Sequence, residues 1–147
     1  MDARSMTLAR ETHGSGTALA IALVEEFFNA VTATPEGFWS SFETYFDDAT
    51  IWENVGVSTT VGPREAANFA RAFPVKFDRM RIEDLVLCGR GDRVCAERVD
   101  HFCRRDGSIV LTVRAVGVFQ IRGRKIAHWR DYFDTAGFAA AVGRPAE

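Results

Sequence analysis

Arg98 and Asp100 stand two residues apart in Ala96-Glu97-Arg98-Val99-Asp100, and Asp131 follows much later in Trp129-Arg130-Asp131. The first stretch reads as a β-strand, in which alternate side chains point to opposite faces. Ala96, Arg98, Asp100 and Phe102 then share one face, and Cys95, Glu97, Val99, His101 and Cys103 the other. The same parity groups Ala127, Trp129, Asp131 and Phe133 on a later strand, opposite Ile126, His128, Arg130 and Tyr132. Three ionisable groups are thus set among Ala, Trp and Phe, on faces that a core should bury. Two carboxylates held by one guanidinium can divide into an acid and a base. They can equally be a satisfied ion network tying neighbouring strands together, although burying charge is costly and often gains no net stability. Both readings stand on the residues alone.

Trp52 and Asn54 share a face of an earlier strand and add an indole N–H and an amide. Other chemistries find little support. His13, His101 and His128 are scattered without HxH or HExxH spacing, so no metal is expected, and no cofactor either. There is no G-x-S-x-G elbow, no Walker A and no GxGxxG. His101 and Cys103 share a face, but the one opposite Arg98 and Asp100, and are read as structural, as is His128. Arg90-Gly91-Asp92 matches an integrin-binding tripeptide and is read as a plain hairpin turn.

With 147 residues the chain is long enough for one domain with a core and too short for two. At 47% hydrophobic and 26% charged it has ordinary globular composition, and a net charge of -2 gives no reason to expect nucleic acid or an anionic membrane. Cys88, Cys95 and Cys103 lack CxxC spacing and are expected to be reduced, mostly buried thiols. Residues 1–16 carry no apolar signal region, and no apolar run approaches a membrane span, so a cytoplasmic location is expected.

Those site residues need elements to hold them. After a polar tail over residues 1–16, a helix capped by Thr17 carries Ile21, Val24, Phe28 and Val31 at helical spacing. Pro35 opens a second helix with an aromatic stripe through Phe38, Phe42 and Tyr45, and Asp47-Asp48 ends the helical region. Ala49 to Asn54 reads as a strand, Gly56 to Thr60 as a loop, and Gly62-Pro63 as the start of a third helix that Pro74 stops. Strands are then expected over Met80–Cys88, Arg93–Arg104, Ile109–Ile121 and Lys125–Phe133, joined by Gly-containing turns. Asp134-Thr135 caps a last helix through Phe138 and Val142, and residues 143–147 are a tail. Helices followed by a strand meander make an α+β fold: a curved antiparallel sheet wrapped around N-terminal helices, leaving a conical cavity suited to a small ligand. The single domain spans residues 17–142.

At Glu97-Arg98-Val99-Asp100, Gly117-Val118-Phe119-Gln120 and Trp129-Arg130-Asp131-Tyr132-Phe133-Asp134 the chain resembles the limonene-1,2-epoxide hydrolases. These share the cone-shaped, cystatin-like fold of nuclear transport factor 2 and ketosteroid isomerase. The resemblance runs from about Ala18 to Val142 and includes Glu53-Asn54-Val55-Gly56. It implies one-step hydrolysis of an epoxide to a vicinal diol, with no covalent intermediate, no metal and no cofactor. It further implies Asp131 as the base that deprotonates water, Asp100 as the acid that protonates the epoxide oxygen, Arg98 as the bridge between them, and Asn54 as a group orienting the water. The family has Tyr where this chain has Trp52, whose N–H donates but cannot accept; Tyr45 or a backbone carbonyl could stand in. An acid working near neutral pH asks a carboxyl to rise about 3 pH units, about 4 kcal/mol, which burial can supply.

The expected partners are therefore an apolar terpene-, cyclic- or sterol-like epoxide and water, with no nucleic acid or membrane. Trp52, Phe102, Val113, Ala115, Phe133 and Phe138 are the expected pocket walls. A non-catalytic small-ligand binder of the same fold is one alternative, and a ketosteroid isomerase- or polyketide cyclase-like enzyme another. The resemblance also implies a homodimer, with Val116 and Val118 on the outer sheet face as candidate interface residues.

Overall fold

The computed structural model describes residues 15–143. Helices α1 (Ser15–Ala33), α2 (Gly37–Tyr45) and α3 (Gly62–Arg71) precede the long strands, with β1 (Phe46–Asn54) and β2 (Ser58–Val61) between the second and third helix. Strands β3 (Arg79–Arg90), β4 (Arg93–Cys103), β5 (Ile109–Arg122) and β6 (Lys125–Phe133) follow, and helix α4 (Thr135–Val142) comes last. The expected terminal tails lie mostly outside the described residues, and Ser15 and Gly16 already belong to α1. Thr17, expected as the cap, sits inside that helix and is buried. Asp134 does cap α4, its side chain accepting from the Gly137 N–H at 2.9 Å.

Two local expectations shift. Asp47 and Asp48 do not end the helical region from outside a strand, because β1 begins at Phe46. Thr50 holds this segment in place: its hydroxyl donates to the Ile126 carbonyl at 2.5 Å and accepts from the Asp47 N–H at 2.8 Å. Ser58–Val61, whose first three residues are expected within a loop, is a short edge strand paired antiparallel with β1, with Trp52 opposite Thr60. Gly56, at φ 82°, makes the turn between them in a conformation that favours glycine.

The six strands form one curved, unclosed sheet in the order β2-β1-β6-β5-β4-β3. Every pairing is antiparallel except that of β1 with β6, which is parallel. That seam sets Trp52 beside Trp129 and Asn54 beside Asp131. The α+β expectation holds, with one parallel junction in an otherwise antiparallel sheet.

Helix α1 fills the concave side. Val24 and Phe27 have no exposed surface, and Leu23, Phe28 and Val31 almost none. Full burial of such a side chain contributes about 1.5–3 kcal/mol. Phe27 meets Tyr45, Phe119 and Trp129 edge-on, with ring centroids 5.5, 5.9 and 5.4 Å away. By length and composition alone Gly16–Ala33, with mean hydropathy 1.3, reaches what a membrane crossing needs, contrary to expectation. Its most apolar face is instead sealed against the sheet, which is what the core of an α+β fold requires. The cysteines also differ from expectation: Cys103 is buried, but Cys95 is half-buried and Cys88 exposed.

Candidate active site

Burial alternates along β4 as the parity predicts: Val94, Ala96, Arg98 and Asp100 are buried, and Glu97 between them is exposed. On β6, Trp129 and Asp131 are buried and Tyr132 is exposed. The two inward faces therefore bring the three charges together, with β5 running between their strands.

The guanidinium is shared unequally. Arg98 Nη1 donates to Asp131 Oδ1 at 2.8 Å and Nη2 to Asp131 Oδ2 at 2.7 Å, a bidentate pairing. Its bonds to Asp100 are longer, 3.1 Å from Nε to Oδ1 and 3.1 Å from Nη2 to Oδ2. Asp131 also accepts from the Trp129 indole N–H at 2.8 Å. Donors aimed at a carboxylate favour its ionised form, and three reach Asp131 against two that reach Asp100. Consistent with this, burial pushes the Asp100 carboxyl above its ordinary value. Arg98 pulls it back down, and Asp131 adds to the rise. Burial works against the charge on Arg98, but Asp131 and Asp100 outweigh it and hold the guanidinium above its ordinary value. Its carbon also lies 5.2 Å from the Phe28 ring and 5.8 Å from that of Trp129, faces that stabilise a cation.

Three contributors escaped the sequence reading. Trp129 was placed on the inward face but not as a donor to Asp131. Phe28 was counted only as part of a helical stripe. Gly117 sits opposite Asp131 on β5, and a β-carbon there would stand 2.7 Å from Asp131 Oδ1 and 3.0 Å from Arg98 Nη1. The ion pair occupies space that only glycine leaves open. The one sequence signal was a glycine inside a strand, which often marks a close approach.

Beside these groups lies a cavity of about 630 Å³, mouth included. Arg98, Asp100, Asp131 and Asn54 line it together with Trp52, Phe102, Val113, Ala115, Phe133 and Phe138, so all the expected site positions meet in one space. Phe38 from α2, Phe69 from α3, and Phe73 and Phe77 from the segment after it complete an aromatic wall. Phe69 and Phe73 stand four apart, a helical spacing that does not by itself point to a cavity, and the observed helix ends between them at Arg71. Tyr45 is not among the lining residues and packs on Phe27, so it does not stand in for the family tyrosine. Trp52 stacks on Trp129, with centroids 5.0 Å apart and planes 15° from parallel, and its buried N–H has no partner among the described residues. Asn54 donates from Nδ2 to Ser58 Oγ at 3.2 Å, which leaves its carbonyl oxygen free to accept.

The two described histidines, His101 and His128, keep away from this space. His101 is held on the opposite face of β4 between Glu83 Oε2 at 2.6 Å and Thr112 Oγ1 at 2.9 Å. His128 lies on the outer face of β6, 3.6 Å from Glu53.

Comparison with known proteins gives consistent results. A family model described as "Limonene-1,2-epoxide hydrolase catalytic domain" matches residues 18–144. Epoxide hydrolase EphG of Mycobacterium tuberculosis is 32% identical over 117 residues, spanning 76% of this chain and 70% of that protein. A solved M. tuberculosis LEH-like epoxide hydrolase superposes with a TM-score of 0.65 at 27% identity, over 86% of this chain and 90% of its own. A Jannaschia sp. CCS1 structure described as a SnoaL-like polyketide cyclase reaches a TM-score of 0.72 over 91% of this chain and 98% of its own. At 13% identity that is a likeness of fold alone.

Proposed function

This chain belongs to the limonene-1,2-epoxide hydrolase family, and we propose that it adds water to an apolar epoxide, giving a vicinal diol in one acid–base step. Asp131, ionised, takes a proton from a water molecule as the water oxygen attacks an epoxide carbon. The bond from that carbon to the ring oxygen breaks, and Asp100 gives its proton to the departing oxygen. Arg98 Nη2 touches both carboxylates, at 3.1 and 2.7 Å, so the negative charge that passes from Asp131 to Asp100 stays against the same cation. A proton returned from Asp131 to Asp100 restores the site. General acid and general base each contribute about 10²–10⁴-fold.

The free carbonyl of Asn54 is suited to accept a hydrogen bond from the water's second O–H, and the Trp52 N–H can supply a donor where the family has a tyrosyl hydroxyl. The phenylalanine side chains of the wall offer no hydrogen bonds to a polar substituent, which favours terpene-, cyclic- or sterol-like epoxides. The observation that carries this reading is the guanidinium bridging two carboxylates at the wall of an aromatic cavity. Diol formation from a panel of such epoxides tests it: the wild type should turn over at least one of them, and Asp131→Asn should lose about 10²-fold or more. Equal behaviour of the two proteins across the panel would instead make the chain a small-ligand binder. A cyclase or isomerase is less well supported, because the double grip of Arg98 on Asp131 hinders its use as a base toward a carbon-bound proton.

A cytoplasmic homodimer completes the reading. Its support is an exposed row on the outer sheet face: Val86, Val116 and Tyr132, which the strand register aligns through Glu97. The molar mass in solution is its check.

A further inference from the structure

Cys88 on β3 and Cys95 on β4 are direct partners across an antiparallel hairpin, two residues in from the Arg90/Arg93 pair beside its turn. Residues directly opposite each other project to the same side, with Cα atoms about 4.5 or 5.5 Å apart depending on their place in the ladder. Either separation falls within the range of about 4.4–6.8 Å that a disulfide spans. Strand alternation puts the pair on the outward face shared with Glu97, away from Arg98 and Asp100. Cys88 is exposed and Cys95 half-buried. Burial pushes the Cys95 thiol up, and the Cys88 sulfur beside it adds to the rise. Cys103 takes no part, being buried at the far end of β4 with its Sγ against the His101 carbonyl at 3.7 Å.

We propose that Cys88 and Cys95 form a thiol-modification site, which a small-molecule disulfide converts to a cross-strand disulfide within one chain. The Cys88 thiolate, the exposed member, attacks the small disulfide; a mixed disulfide forms on Cys88 and one small thiolate leaves. Cys95 then loses its proton and attacks the Cys88 sulfur, which releases the second small thiol. Two protein thiols are oxidised, and the small disulfide is reduced to two thiols. The hairpin is already in register, so the second step requires no change of strand pairing. The site uses none of the residues in the proposed hydrolysis and stands apart from it.

The test is exposure of the full chain to oxidised glutathione, followed by alkylation of remaining thiols and mass analysis. The wild type should lose two hydrogens without retaining an adduct, and keep one alkylatable thiol. Tryptic cleavage at Arg90 and Arg93, between the two cysteines, should leave peptides joined through Cys88 and Cys95. Cys95→Ser should stop at a glutathione adduct on Cys88, and Cys103→Ser should form the same disulfide and keep no alkylatable thiol. A wild type that accumulates the adduct as fully as Cys95→Ser, or that stays unmodified at Cys88, would overturn the proposal.

Discussion

One guanidinium shared unequally by two carboxylates sets how the site responds to pH. Burial raises Asp100 above its ordinary value of 3.8, so the folded chain binds a proton there that the unfolded chain releases. The stability this brings is fully present below 3.8 and is lost as pH rises through the raised value. The same titration removes the proposed acid, so kcat should fall on its alkaline side over that window. Asp100→Asn should lower kcat by about 10²-fold or more and abolish both the alkaline fall and that segment of the stability slope. Chemical denaturation and initial rates across pH check it; a variant that keeps the wild-type alkaline limb would remove Asp100 from the acid role. Gly117 belongs to the same scale, since the grip of Arg98 on Asp131 depends on a side chain that is missing.

Among the elements, α4 is held by little more than Phe138. None of its residues is buried, yet the Phe138 ring lies 5.3 Å from Phe73 and 5.4 Å from Phe133, closing part of the cavity wall. Phe138→Ala removes contact with the substrate's apolar body and none with the reacting atoms. KM should rise about tenfold, the equivalent of about 1.4 kcal/mol, with kcat and the melting temperature little changed; an equal fall in kcat would place Phe138 closer to the chemistry. The elements were also where the sequence was easiest and hardest to read. The four long strands announced themselves because long stretches rich in Val, Ile, Leu and Phe are bounded by Gly-containing turns. Ser58-Thr59-Thr60-Val61 did not, because four residues are too few for a period and three of them are polar. The direction of β1 against β6 was illegible for a different reason: alternation tells which face a side chain takes, but nothing about which strand lies alongside.

For the whole molecule, the outer face offers an exposed row of Val86, Val116 and Tyr132, crossed by Glu97, that a second copy would cover. Light scattering should give twice the 16.3 kDa of one chain, and Val116→Asp should return the single mass while leaving far-UV circular dichroism unchanged. A single mass for the wild type would refute the dimer. At this scale the candidate site was legible wherever charge met parity: Arg98, Asp100 and Asp131 stood out because they occupied faces meant for apolar residues. Trp129 as a donor, Phe28 beneath the guanidinium and the vacancy at Gly117 were not, since each depends on distances between strands. The parallel seam between β1 and β6 carries a consequence in time. It is where Asn54 meets Asp131, residues separated by about half of the chain's length. On the ribosome β1 is made before β6 and can at first pair only with β2, while the aromatic chamber waits for the wall that β6 supplies. The water-orienting side and the base side of the proposed reaction therefore come into being together, once β6 is made, and a chain cut short before β6 would carry an incomplete chamber and no base.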